Sequence, residues 1–372
     1  MNLSVKSLLF FLSLTLSANL FSQEIYQIEG SVKTESSLEP VAGAQIFING
    51  STIGVLSDED GLFVLTNIPS GVHEVVVKNL GFETATIIIN TNNVAENYSF
   101  LLLEKVYELN EITVKPNTQN WKYNFEEFRN NFIGVGPFSK KTVIKNKEVI
   151  NFDFTIEDRT LSAFAYQRLE IENKELGYII YFYLEDFKID YKNGTTFFYG
   201  QTLFQELSSK RKRTITKWKK NREKAYSGSF VHFTNSLIEG SLYENGFSVK
   251  AEKREKDARY VSKDTVSSSL FFHKIDNSFF QFKFINFLNV TFEDEYEDMS
   301  YLYSIAGPFD QNPRQLPDFQ NSSVTLVKDS VLVDKSGFIL DPTALLFDGY
   351  WGFEKISDML PLKYEPADSA QK

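Results

Sequence analysis

Three histidines, His73, His232 and His273, are the chain's whole supply of imidazole, and cysteine is absent. A catalytic zinc needs about three protein ligands, commonly histidines and a carboxylate at short spacing. Neither His-Glu-x-x-His nor His-x-x-Glu occurs, and His273 with Asp276 is an isolated pairing, so each histidine reads as a packed or surface residue. Without cysteine there is no thiolate nucleophile, and neither a Gly-x-Ser-x-Gly elbow nor a glycine loop that could cradle phosphate is present. The expectation is a non-enzymatic protein without cofactor or metal. The alternative is a hydrolase of glycans or peptides working through carboxylates that the sequence does not single out.

Two acidic clusters have the residue types that hold calcium. Asp58-x-Asp60-Gly61 starts like a calcium loop but lacks the later ligands, so it reads as a turn. Glu293-Asp294-Glu295-Tyr296-Glu297-Asp298 has no glycine for the bend and reads as a solvated loop. The strongest charge feature is basic: Lys210, Arg211, Lys212, Arg213, Lys217, Lys219, Lys220, Arg222 and Lys224 stand against Glu223 alone. Such a run either is a solvated helix face or docks an anionic partner, whether an acidic face of an envelope protein, an anionic lipid or a glycan. The chain as a whole has 39 Lys plus Arg against 49 Asp plus Glu, a balance that argues against general nucleic-acid binding.

The element expected to carry these cations is a helix over 209–239, with Trp218, Ala225, Tyr226, Phe233 and Leu237 on its inner stripe. Before it, Trp121, Phe125, Phe128 and Phe132 recur at helical spacing, with Asn120 as N-cap and Gly134 as stop. Strands are expected at 149–156, 161–165, 169–172 and 177–184. A hairpin then turns at Asn193-Gly194, the pair preferred by a two-residue type I′ loop. Further strands are expected at 247–252, 270–275, 279–292, 301–305 and 324–333, with loops at 307–308 and 313–317, a turn at 335–337 and a closing helix from 349 to 359.

The N-terminal part has period two. Ala44, Ile46 and Ile48 alternate with Gln45, Phe47 and Asn49; His73, Val75 and Val77 alternate with Val72, Glu74 and Val76; and Ala85, Ile87 and Ile89 continue the pattern. Asp60-Gly61 is expected to close a two-residue hairpin, with Gly61 at positive φ, and Asn67-Ile68-Pro69-Ser70-Gly71 makes the next reversal.

Gly30-x-Val32, Pro40-Val41-x-x-Ala44, Thr52-x-Gly54, Asp60-Gly61-x-Phe63, Ile68-Pro69-x-Gly71 and Gly81-Phe82 together resemble the carboxypeptidase-D regulatory-like domain, over 23–114. The resemblance implies a prealbumin-like β-sandwich and, since this domain is a non-catalytic appendage in metallocarboxypeptidases, no peptidase activity. Leu109-Asn110-Glu111-Ile112-Thr113-Val114 reads as the last strand of that sandwich. It also resembles the stretch that follows the domain in TonB-dependent outer-membrane transporters. Trp121-x-x-Asn124-Phe125, Ile171-Glu172-Asn173, Trp218-Lys219-Lys220-Asn221-Arg222-Glu223 and Leu360-Pro361-Leu362 resemble a family of uncharacterised exported proteins carrying the same module, which implies layout and no activity.

The fold class expected is mainly β to α+β: a prealbumin-like sandwich, then an antiparallel-sheet α+β domain with a few helices. The layout is a signal peptide over 1–22, the sandwich over 23–115, a linker over 116–120, the second domain over 121–364 and a disordered tail over 365–372. Lys6 followed by the apolar run Leu8–Leu20 is too short to span a bilayer and reads as a secretory leader. Export without disulfides suits a Gram-negative periplasm or outer-membrane surface, with no transmembrane helix once the leader is cleaved. Alternating runs such as Phe280-x-Phe282-x-Phe284 also leave open a small outer-membrane barrel over 147–340 or a transporter-associated component, against which stand the basic helix and the non-aromatic C-terminus.

Overall fold

The structure is a computed structural model describing residues 25–366, apart from 94, 96, 106–117, 257, 307–315 and 336. The expected leader, the strand at 109–114, the start of the linker, the loop at 307–308 and the tail beyond 366 lie outside the described residues. The protein is mainly β, with 46% strand and 21% helix, and its N-terminal sheets precede antiparallel sheets with few helices.

The N-terminal module comprises β1 (Ile25–Thr34), β2 (Gln45–Ile48), β3 (Gly54–Leu56), β4 (Leu62–Pro69), β5 (Val72–Lys78), β6 (Ala85–Asn90) and β7 (Tyr98–Leu102). They form a three-stranded sheet ordered β4-β1-β7 and a four-stranded sheet ordered β3-β2-β5-β6. Alternation puts Ala44, Ile46, Ile48, Val75 and Val77 of one sheet against Ile28, Val32, Phe63 and Phe100 of the other, and these fill one core. Gly61 takes φ +73°, but the reversal there is not a two-residue hairpin, because β3 and β4 belong to different sheets. The chain crosses over through a turn in which Gly61 N–H donates to Asp58 O at 3.0 Å. The Asp58 carboxylate accepts from the amides of Asp60 and Leu62, so Asp58, not Asp60, builds the bend.

The outer face of the four-stranded sheet is also covered. Phe47 and Val76 are buried against Leu203, with Tyr181 and Tyr183 packed on them. These partners belong to the next unit, built on helix α1 (Thr118–Phe132) and strands β8 (Thr142–Ile144), β9 (Ile150–Thr155), β10 (Thr160–Ala165), β11 (Leu169–Asn173), β12 (Tyr178–Asp190) and β13 (Thr195–Glu206). The aromatic stripe of α1 lies on this sheet, with Phe128 4.6 Å from Phe187 and Phe132 4.9 Å from Phe182, ring centre to ring centre. Asn120 is not the N-cap, since the helix already runs from Thr118; Gly134, at φ +95°, follows its end. The β12–β13 hairpin is present, but its register closes at Asp190 opposite Thr195, so the loop has four residues, Tyr191–Gly194. Asp190 accepts from the amides of Lys192 and Asn193, and Gly194 supplies the left-handed step at φ +67°.

The helix expected over 209–239 is two helices, α2 (Lys212–Tyr226) and α3 (Phe230–Glu239). Gly228 at φ +75° breaks the path, and Ser229 Oγ caps α3 by accepting from His232 N. The chain continues through β14 (Phe247–Glu255), β15 (Ala258–Thr265), β16 (Phe272–Lys274), β17 (Phe279–Phe282), β18 (Phe287–Tyr296), α4 (Met299–Ile305), β19 (Phe319–Leu326), β20 (Val331–Asp334), β21 (Leu345–Gly349) and α5 (Tyr350–Phe353). Their sheets are ordered β15-β14-β18-β19-β21 and β16-β17-β20, sharing a core with Phe233 and Leu237 of α3.

Several sequence expectations change here. The run 279–292 is two strands broken near Asn286, which sits at φ +63°, and 324–333 is likewise two. Residues 301–305 are helical because Asp298 caps that turn, accepting from Ser300 N at 2.9 Å. The acidic run 293–298 is the end of β18 leading into this cap, not a solvated loop. Strand β15 is mostly exposed and carried no periodic signal. The closing helix spans only Tyr350–Phe353, followed by a single 3-10 turn, Ile356–Asp358. The described strands of 147–340 lie in three sheets of six, five and three strands with free edges, not in one closed ring.

Candidate functional site

The nine cations of the basic run share one segment but not one role. Trp218 anchors α2 through Nε1–H donating to Lys174 O at 2.9 Å, and Asn221 donates to Glu175 O at 2.8 Å. Arg222 lies 3.9 Å above the Tyr178 ring, donates to Leu176 O and pairs with Glu206 at 3.1 Å. Lys217 and Lys141 both pair with Glu175, whose carboxyl sits below its ordinary value because these ammonium groups outweigh burial, the largest opposing effect. Lys224 stands 3.9 Å from Asp298. The other six, Lys210, Arg211, Lys212, Arg213, Lys219 and Lys220, are exposed and form no ion pair among the described residues. The turn residues Asp60, Gly61, Asn193 and Gly194 are structural and lie in other parts of the fold.

The histidines are packed or lie on strands. Burial pushes His232 down to about 4, against the pull of Asp294, and its ring stacks edge-on to Phe247 and Phe292. His73 is lowered by burial and contacts Pro69 O at 2.8 Å. Among the described residues no group of three or more His, Asp or Glu side chains is arranged to hold a metal.

A cavity of about 420 Å³ opens where the parts of the chain meet. Phe182, Phe198 and Phe204 of the six-stranded sheet, Phe230 of α3 and Trp351 of α5 supply apolar wall, and the segment after α5 supplies Glu354, Lys355 and Asp358. That segment is fixed by the backbone. Ser357 N–H donates to Ile133 O at 3.1 Å, and the buried Asn173 amide donates to Ser357 O at 2.8 Å. Trp351 Nε1–H donates to Gly228 O at 2.8 Å, tying α5 to the α2–α3 turn.

Burial raises the Glu354 carboxyl well above the usual range, and Asp358 and Glu295 add repulsion. Asp358 is pushed up to about 6, chiefly by burial, although Ser357 Oγ–H and Lys355 N–H donate to it. Burial lowers Lys355, with Asp358 opposing. The sequence reading missed this trio. Its one signal was charge placed inside an apolar frame, Trp351 to Leu362, which the helical reading passed over.

The contact between the N-terminal module and the rest combines the apolar cluster around Phe47 and Leu203 with main-chain and side-chain bonds. Gly50 N–H donates to Thr202 O at 2.8 Å, Phe204 N–H to Ser51 O at 2.7 Å and Leu362 N–H to Gly50 O at 2.9 Å. Lys78 pairs with Glu185 at 2.6 Å, and Val72 N–H donates to the buried Asp334 at 2.9 Å.

No curated protein matches the chain. Among solved structures it is similar to a type II cohesin–X-dockerin complex from Acetivibrio cellulolyticus, at 20% identity and TM-score 0.17, over 20% of this chain and 56% of that one. It is also similar to a Bacteroides fragilis protein of unknown function described as membrane-associated, at 12% identity and TM-score 0.18, over 44% of this chain and 66% of that one. A 9R-lipoxygenase from Cyanothece matches at 9% identity and TM-score 0.17, over 60% of this chain and 48% of that one. The chain thus spans about half to two thirds of the length of these structures. Residues 28–114 match the family described as the CarboxypepD_reg-like domain, and the N-terminal sandwich is that domain.

Proposed function

We propose that the chain is a non-enzymatic, exported cell-envelope protein that docks on anionic lipid headgroups through α2 and the segment before it, with the sandwich as a structural module. The observation that carries this reading is the set of six exposed cations that form no ion pair among the described residues, in a chain of net charge -10. They sit on or beside a helix whose other face is pinned by Trp218, Asn221 and Arg222, so the charges are presented by a fixed element. Ile215 lies exposed among them, an apolar side chain placed to enter a headgroup layer. No helix among the described residues is long and apolar enough to cross a membrane.

The test is binding to vesicles with and without phosphatidylglycerol. Lys212, Lys219 and Lys220 are the positions to reverse to Glu, because Lys217 is engaged with Glu175 and its loss would disturb the fold. At about 1 kcal/mol for each cation near the surface, the triple variant should bind at least roughly a hundredfold more weakly, with native binding falling steeply with salt. Equal binding by both proteins removes the patch.

A second reading, a glycan hydrolase, has one favouring observation: Glu354 and Asp358 line one cavity and both hold protons more tightly than usual. It requires turnover of an aryl glycoside that is lost in both Glu354→Gln and Asp358→Asn.

A further inference from the structure

The cavity carries a carboxyl that nothing in the protein engages. Glu354 lines it, and its side chain makes no hydrogen bond or ion pair among the described residues, whereas Asp358 on the same wall accepts from Ser357 and Lys355. Glu354 is half-buried, so its carboxyl reaches water while standing beside apolar walls. We propose that this cavity binds a small organic amine with an apolar body, its ammonium on Glu354 and its body against the rings of Phe230 and Trp351.

The charges around the site select a cation. Among the described residues Lys355 is the one ammonium on the wall and makes no ion pair; its Nζ lies 5.9 Å over the Phe198 ring, which leaves the faces of Phe230 and Trp351 to an entering ligand. Glu295 and Asp358 both repel the Glu354 charge, and Asp298, which Lys224 approaches at 3.9 Å, acts on Asp358 and on the Tyr350 hydroxyl beneath. The local field at Glu354 is therefore negative, and ring faces attract an ammonium further. The walls are mostly carbon, so a polyhydroxylated ligand would lose hydrogen bonds to water on entering, and an apolar body would not. The cavity's 420 Å³ lies within the roughly 300–1,000 Å³ of small-molecule sites.

Binding also acts on the carboxyl proton. Burial and the nearby carboxylates make Glu354 hold its carboxyl proton more tightly than an ordinary carboxyl; an entering ammonium favours the carboxylate, so any proton still on the carboxyl passes to solvent and the ammonium N–H donates to the carboxylate.

Calorimetry with 4-phenylbutylamine, 4-phenylbutanol and 4-phenylbutyrate, near pH 7 and in two buffers of different ionisation enthalpy, tests this. The amine should bind at least tenfold more tightly than the alcohol, any proton release should accompany the amine alone, and the acid should not bind. Glu354→Gln should fold with an unchanged or higher Tm, bind amine and alcohol alike and release no proton. Phe230→Ala should weaken both ligands together. An amine preference that survives Glu354→Gln overturns the proposal, as does native protein that binds none of the three or favours the alcohol or the acid. Turnover of glycosides without amine binding would favour the hydrolase reading instead.

Discussion

Asp358→Asn should make the protein more stable than the native chain at neutral pH and no more stable in acid. Burial is the main reason the Asp358 carboxyl sits at about 6 in place of 3.8; Ser357 Oγ–H and Lys355 N–H oppose the rise and Asp298 adds to it. Each pH unit between the folded and unfolded values corresponds to about 1.4 kcal/mol, so ionising Asp358 costs about 3 kcal/mol more in the folded protein than in the unfolded chain. The sign follows from proton binding. The folded state holds this proton more tightly, so its contribution is fully present below about pH 4 and is lost as pH rises through about 6. Asparagine cannot ionise, and its amide oxygen still accepts from the same two donors. The stability difference between variant and native protein should therefore be near zero at about pH 3, open between about 4 and 6, and level off near about 3 kcal/mol at about pH 7. Urea unfolding of both proteins across this range measures it, and subtraction cancels titrating groups elsewhere. Glu354 repels Asp358 and also holds its proton unusually tightly, so relief of that repulsion extends the rise above pH 6. A difference flat in pH, or one in which the native protein gains on the variant as pH rises, would refute the burial assigned to this carboxyl.

Two further changes test the framework. Gly61→Val forces a β-branched residue to φ +73° and sets its Cβ 2.4 Å from Val32 O, so it should lower stability by at least about 2 kcal/mol; an unchanged Tm would reject the crossover turn. Asp334→Ala strips a buried carboxylate that accepts from Val72 N and Phe338 N, both at 2.9 Å, and should cost about 2–4 kcal/mol. Faster hydrogen exchange at those two amides is the expected signature, and continued protection of Val72 would show that Asp334 does not hold the sandwich to the remainder.

Periodicity carried the elements that bury one face. The stripe Trp121, Phe125, Phe128 and Phe132 was legible because each ring falls on a single side of α1 and meets a sheet. Strands β2 and β5 were legible for the same reason at period two. Their second face was not legible, although a hint existed: Val75-Val76-Val77 is an unbroken apolar run, as expected of a strand covered on both sides. What covers Val76 and Phe47 is Leu203, over a hundred residues away, and no local pattern encodes that pairing. Turn chemistry was read correctly in kind and wrongly in length. Gly61 and Gly194 have positive φ as expected, but neighbouring aspartates, Asp58 and Asp190, cap backbone amides and lengthen both reversals. The basic run was legible as a run, whereas its division into anchoring Arg222, paired Lys217 and exposed Lys219 depends on the 173–178 bend packed beneath α2.

The perturbed carboxyls have a common structural cause in the segment 354–364. Ser357 is held at its amide by Ile133 O and at its carbonyl by Asn173, Leu362 N–H donates to Gly50 O, and Lys363 Nζ donates to Ser70 O at 2.8 Å. These partners come from the end of α1, the six-stranded sheet and the N-terminal sandwich. A loop free to move would swing Glu354 and Asp358 into water, since rehydrating an unpaired carboxylate is favourable by several kcal/mol. Here such a swing would break hydrogen bonds to three separate parts of the fold. The carboxyls therefore remain crowded and hold their protons more tightly than ordinary carboxyls, and the cavity keeps a polar end that the packing of the rings alone would not have produced.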